Sequence, residues 1–150
     1  MVEIVRADAS HVPHLADTMR PGDAAEVRAQ GLSPSEALME SLDRSTHAWT
    51  ALSDGLPIAM WGVRSEDILA PGAVVWCLTG QGVENHKVAF LRHSRAFVKH
   101  LRNTYYDAWN IVDSRYEGAL RWVEWLGFTV CGEVRIGDVP FYLVTLRRHV

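Results

Sequence analysis

An α/β (α+β) fold, with a mixed, mostly antiparallel central sheet flanked by helices, is what this sequence predicts, and three observations lead there. Hydrophobic spacing is helical up to about Asp43, strand-like from His47, and helical again from about Asn85. Between the strand-like runs His47–Leu52 and Pro57–Arg64 lies Asp54-Gly55, a pair that supplies the positive backbone angles of a tight hairpin. Ala73–Thr79 is a continuous apolar run with β-branched and aromatic residues, the pattern of a central strand covered on both faces.

The elements follow in order. Val2–Arg6 alternates enough to open a strand. Asp8 or Ser10 can cap the helix after it, with Pro13 tolerable in the first turn and Val12, Leu15, Ala16 and Met19 facing inward. Arg20-Pro21-Gly22-Asp23 breaks that helix, and a short second one runs to Gln30-Gly31, where glycine suits a left-handed stop. In Ser33-Pro34-Ser35-Glu36 the serine caps, the proline fits the first helical position, and the glutamate reaches back to the serine amide, so a third helix follows.

After the hairpin and the central strand comes a long helix, about Asn85–Asn103, with Phe90, Ser94, Phe97 and Leu101 in one line and Leu91 and Val98 beside it. Ala108–Asp113 is a strand, and Ser114–Phe128 holds a helix that Gly127 ends. Phe128–Val134 and Phe141–Leu146 close the chain as two strands around Gly137-Asp138. Strands separated by single helices imply a parallel part, and the hairpins an antiparallel one.

The bulk numbers narrow the function classes. At 150 residues and 48% hydrophobic composition, the chain has the size and the apolar content of one domain, 1–150. A formal charge of −3 offers no general attraction to nucleic acid or anionic lipid. Cys77 and Cys131 both sit in strand-like runs and read as two reduced, buried thiols. The first eight residues contain acids and lack an apolar core, so they are no secretion signal, and no run approaches the roughly 20 apolar residues that span a bilayer. The expectation is a cytoplasmic protein without a membrane segment.

The element order resembles the GNAT acyltransferase fold. Val2–Met19 looks like the opening strand and helix of that family, and Tyr116–Phe128 like its last helix before a Gly-Phe turn. Over most of its length the chain also resembles the small GNAT-like internal virion protein A family of short-tailed phages. That second likeness is carried by Met19–Gly31, Ala48-Trp49, Trp61-Gly62-Val63, Phe90–Arg95 and Arg121–Phe128.

The resemblance implies an acyl-CoA lying between two splayed central strands, which here would part near Val75 and Ile111. Its pyrophosphate would sit at the loop that starts the long helix, and a tyrosine in the last helix would protonate the leaving thiolate. Ala119, Glu124, Gly127 and Phe128 fit the family's pattern, but Tyr116 stands where its Asn belongs and Val123 where its Tyr belongs. Valine has no titratable proton, so that acid is absent from its usual place.

In the loop the family shows Gln/Arg-x-x-Gly-x-Gly/Ala. The stretch Thr79–His86 offers Gly80 and Gly82 at other offsets, and it carries Glu84. Helix-start amides and glycines can still hold phosphate, which makes Gly80, Gly82, Val83 and Asn85 the candidate cofactor-binding residues for acetyl-CoA.

Other candidates carry less. His86, His93 and His100 recur every seven residues, about 10.5 Å apart along a helix, too far to share a metal ion. Arg92, Arg95, Lys99 and Arg102 share one helix face and read as a solvated stripe. Glu66 and Asp67 stand near a usual general-base position but read as an exposed loop. Of the six tryptophans, Trp125 faces away from the inward stripe and suits a partner surface, the others the core.

With the acid and the regular loop missing, the sequence is read first as a catalytically silent phage-type protein. It would act through contacts with other virion proteins, in the host cytoplasm or in the particle. The alternative is an acyl-CoA-dependent N-acetyltransferase acting by direct attack of an amine on the thioester.

Overall fold

A computed structural model describes residues 1–65 and 72–147. It shows a mixed α/β fold with a mostly antiparallel sheet flanked by helices. The chain divides into two compact units, Met1–Arg64 with Trp76–Phe90, and Ser65–Val75 with Leu91–Val150.

The first unit holds β1 (Val2–Arg6), β2 (His47–Ser53), β3 (Leu56–Ser65) up to Arg64, and the end of β4 (Gly72–Thr79) from Trp76, neighbours in that order. β1 pairs antiparallel with β2, Val2 opposite Ser53, and β2 antiparallel with β3, Ser53 opposite Leu56. The β2–β3 turn has φ 50° at Asp54 and 79° at Gly55, the left-handed pair that matches the twist of the flanking strands.

Three helices follow β1: α1 (Val12–Asp17), α2 (Pro21–Ala29) and α3 (Pro34–Arg44). Asp8 makes a capping box with His11, and Ser33 makes one with Glu36 in which each side chain bonds the other's amide at 3.1 Å. The expected break at Arg20–Asp23 is narrower in the structure, because Pro21 occupies the first turn of α2 and so starts that helix. Val12, Leu15, Met19, Val27, Ala37 and Leu38 bury their side chains with Met60 and Leu78 in one core. A second core joins Ala51, Ile58, Ala59 and Val83, with Phe90 packed against it.

In the second unit the first residues of β4 pair parallel with β5 (Asp107–Asp113), β5 pairs antiparallel with β7 (Val139–Arg147), and β7 with β6 (Thr129–Ile136). The long helix α4 (Lys87–Thr104) buries Val98 and Leu101, and α5 (Glu117–Trp125) buries Val123.

Two sequence expectations change. Leu91 is exposed, because the inward line of α4 is carried by Val98 and Leu101. Cys131 is exposed rather than buried: β6 pairs with β7 on one side, and seven of its eight residues are exposed.

Gly127 ends α5 with φ 103°, and a Cβ there would lie 2.5 Å from the Arg102 guanidinium. Gly127→Ala is therefore expected to cost about 1–3 kcal/mol from the unfavourable φ and the displaced arginine, read as a lowered urea midpoint with unchanged m-value.

Candidate functional site

Backbone hydrogen bonds at the end of β4 locate the site. Gly80 N donates to Ile58 O of β3 at 2.7 Å, whereas Thr79 N donates the other way, to Asp23 Oδ2 at 2.7 Å. Successive strand residues present their backbone groups to opposite edges, so Cys77 shares the edge of Thr79, away from β3. The ladder with β5 registers Gly72–Val74 against Asp107–Trp109 and goes no further. Val75 and Ile111, where the resemblance expects the strands to part, are thus not a registered pair. Among the described residues, the N–H and C=O of Cys77 take no ladder partner on that edge.

Past Thr79 the chain makes a 3-10 turn, Gln81–Asn85, before α4. This turn places the candidate residues Gly80, Gly82, Val83 and Asn85. Gln81 N donates to Thr18 O at 2.8 Å, Val83 N to Gly80 O, and His86 N to Val83 O, so several amides of the turn already have acceptors. Gly80 forms an isolated antiparallel bridge with Met19. A Cβ on Gly82 would fall 2.4 Å from Ile58 Cγ2, so this glycine is required by close packing. Val83 is buried against Ile58 and Ala51.

The amides that open α4, on Lys87, Val88 and Ala89, have no acceptor within the helix, and the first intrahelical bond runs from Phe90 N to His86 O. About half a positive charge collects at such an end.

Glu84 does not stand there as a bare charge. Its carboxylate bridges Arg20 Nη2 at 3.0 Å and Lys87 Nζ at 3.2 Å. The Lys87 hydrogen bond first, and the Arg20 charge next, hold its carboxyl below the usual range. A depressed carboxyl favours the fold above its unfolded pKa and loses that favour as pH falls through the folded one, so the bridge is intact at neutral pH. Glu84 is thus matched by two cations, Arg20 and Lys87.

Three groupings were illegible in the sequence. Asp23, buried in the first turn of α2, accepts from both the amide and the hydroxyl of Thr79. His86 Nε2 meets Ser53 Oγ at 2.9 Å, and Arg20 meets Glu84. Their partners are 56, 33 and 64 residues apart, and helical or strand spacing cannot signal such separations.

Burial, and then Asp23, push the Cys77 thiol well above its ordinary range, which keeps it protonated and a poor nucleophile.

The remaining candidates stay apart. Val123 is buried in α5. Glu66 and Asp67 lie outside the described residues. Trp125 is exposed, with Arg95 over its ring at 4.2 Å. No group of three or more His, Cys, Asp or Glu among the described residues is placed to hold a metal ion, and none of the described helices is long and apolar enough to cross a membrane.

No family model matches the chain, and no curated protein matches it. Solved structures do. An acetyltransferase of the GNAT family from Streptococcus pneumoniae superposes with TM-score 0.66 at 12% identity, over 99% of this chain and 100% of that one. The ribosomal-protein-S18-alanine N-acetyltransferase from Escherichia coli gives 0.70 at 14%, over 100% and 96%. Aminoglycoside 6'-acetyltransferase type Ii gives 0.70 at 16%, over 97% and 96%.

These findings overturn the silent virion-assembly reading. These three proteins, which share the fold along nearly their whole length, are described as acetyltransferases, and nothing supports the phage likeness. The error has a physical cause. Val123 removes one proton donor, but a thiolate, whose conjugate acid has a pKa near 8.5, leaves without strong acid assistance. The backbone edge of β4 is untouched by that substitution. Along its length, this chain has the GNAT acetyltransferase fold.

Proposed function

We propose that the chain is an acyl-CoA-dependent N-acyltransferase that moves an acetyl group to an amine, as one domain spanning 1–150 and working in the cytoplasm. The observation that carries this is the Cys77 edge of β4, without a ladder partner among the described residues, ten residues before the start of α4, where Arg20 and Lys87 flank Glu84.

The residues present fit acetyl-CoA, which supplies an activated acyl carbon. The α4 amides of Lys87–Ala89, with Arg20 and Lys87, hold the phosphate groups, and Gly80, Gly82, Val83 and Asn85 form the turn that aims them. The Cys77 N–H donates to the acyl oxygen as negative charge develops on it. Donors of this kind contribute about 10²–10³ in rate. Bound there, acetyl-CoA would supply an acyl carbon open to direct attack by an amine, with the thiolate as leaving group, and solvent would take the proton of the amine and return one to the thiolate. The Cys77 thiol takes no covalent part, since its protonated state is the favoured one.

Calorimetry with acetyl-CoA tests the reading. Micromolar binding is expected, weakened about tenfold or more in Lys87→Glu, and weakened further as salt is raised. Lack of heat at millimolar ligand would end the reading. Gly82→Glu is unsuitable as a probe, because any side chain there strikes Ile58.

A further inference from the structure

Asp23 is joined to Thr79 by two hydrogen bonds. Asp23 is 7% exposed, on the helix that also buries Ala24 and Val27. A buried carboxylate is expensive even when bonded, and its charge strengthens the bonds it accepts. The carboxylate oxygen Oδ2 nevertheless takes both the Thr79 amide and its hydroxyl. Arg20 N donates to Thr79 O at 2.9 Å, and Met19 bridges Gly80. The corner between α1 and α2 thus acts as a one-residue strand that occupies the Thr79 position on the open edge of β4. This corner closes that edge from Thr79, and Cys77 presents its N–H on the same edge two residues earlier.

We propose that Asp23 is a positioning residue for acyl transfer: by fixing Thr79 it sets the direction of the Cys77 N–H toward the acyl oxygen. This rests on the acyltransferase reading and adds to it a residue on a different element from those that hold the donor. Because the acyl oxygen gains charge only in the transition state, a misaligned N–H should lower kcat far more than it weakens acyl-CoA binding.

The test compares wild type, Asp23→Asn and Thr79→Ser for acetyl-CoA binding, for kcat and KM, and for amide hydrogen exchange at Cys77 and Thr79. In wild type the Thr79 amide should be protected and the Cys77 amide fast, becoming slow when acetyl-CoA binds. In Asp23→Asn, kcat should fall about 10–100-fold with KM changed less than about threefold, and the Thr79 amide should exchange faster. Thr79→Ser keeps both donors and should behave as wild type. If Asp23→Asn fails to fold, Thr79→Val, which removes only the hydroxyl donor, should show a smaller kcat loss of the same kind. Normal kcat in Asp23→Asn, or in Thr79→Val when that variant stands in, would overturn the positioning role while leaving the enzyme reading intact. Wild type that neither binds nor turns over acetyl-CoA would overturn both.

Discussion

Phe141→Ala is expected to destabilise the protein by about 3–5 kcal/mol, the range for removing a fully buried ring and leaving a cavity. Phe141 is 0% exposed on β7, where it pairs across to Asp113 on β5 and to Val134 on β6. The strand is held on both sides, so neighbours cannot collapse into the space. A loss of this size is a large share of the stability of an ordinary domain, and urea unfolding should show the midpoint falling with little change in m. A loss below about 1 kcal/mol would mean that β7 is not the centre of its half of the sheet.

Gly82→Ala should be the next most damaging single change. The new methyl would lie 2.4 Å from Ile58 Cγ2 and 3.2 Å from Ile58 Cβ, and a β-branched side chain in a buried cluster cannot swing aside. Overpacking of this kind costs about 1–3 kcal/mol. The turn leading into α4 would also shift, so acyl-CoA affinity should drop with stability. Ile58→Val deletes the δ carbon but keeps Cγ2, so it should not rescue the variant; Ile58→Ala, which removes Cγ2, should restore part of the affinity. Rescue by the alanine but not by the valine would identify the contact.

Local backbone chemistry was legible in the sequence because the residues that enforce it are adjacent. Asp54-Gly55, the Gly31 stop and the Ser33–Glu36 capping box all depend on groups within four positions of one another. The exposure of Cys131 was misread, since alternation along β6 places it with Thr129, Glu133 and Arg135 and the strand lies at the sheet edge. The Asp23 clamp was hidden for a related reason. An acid in the first turn of a helix is ordinary at a solvent-facing position, and nothing in Pro21–Asp23 says that β4 will cover it.

The functional misreading came from weighing a missing side chain. Tyrosine at position 123 would be visible in a sequence, and its absence argued for silence. The group that the proposed mechanism assigns to a developing oxyanion is instead a peptide N–H, which every residue but proline carries and no motif reports.

Whether this scaffold transfers an acyl group is decided by product formation. Purified chain would be incubated with acetyl-CoA and a panel of primary amines, and acetylated amine followed by mass spectrometry, which avoids interference from the exposed Cys131 thiol. Enzyme-dependent N-acetylation of at least one amine is expected, at a rate that falls about 10–100-fold in Asp23→Asn. No acetylated amine above the uncatalysed background, from folded protein shown not to bind acetyl-CoA, would refute acyl transfer.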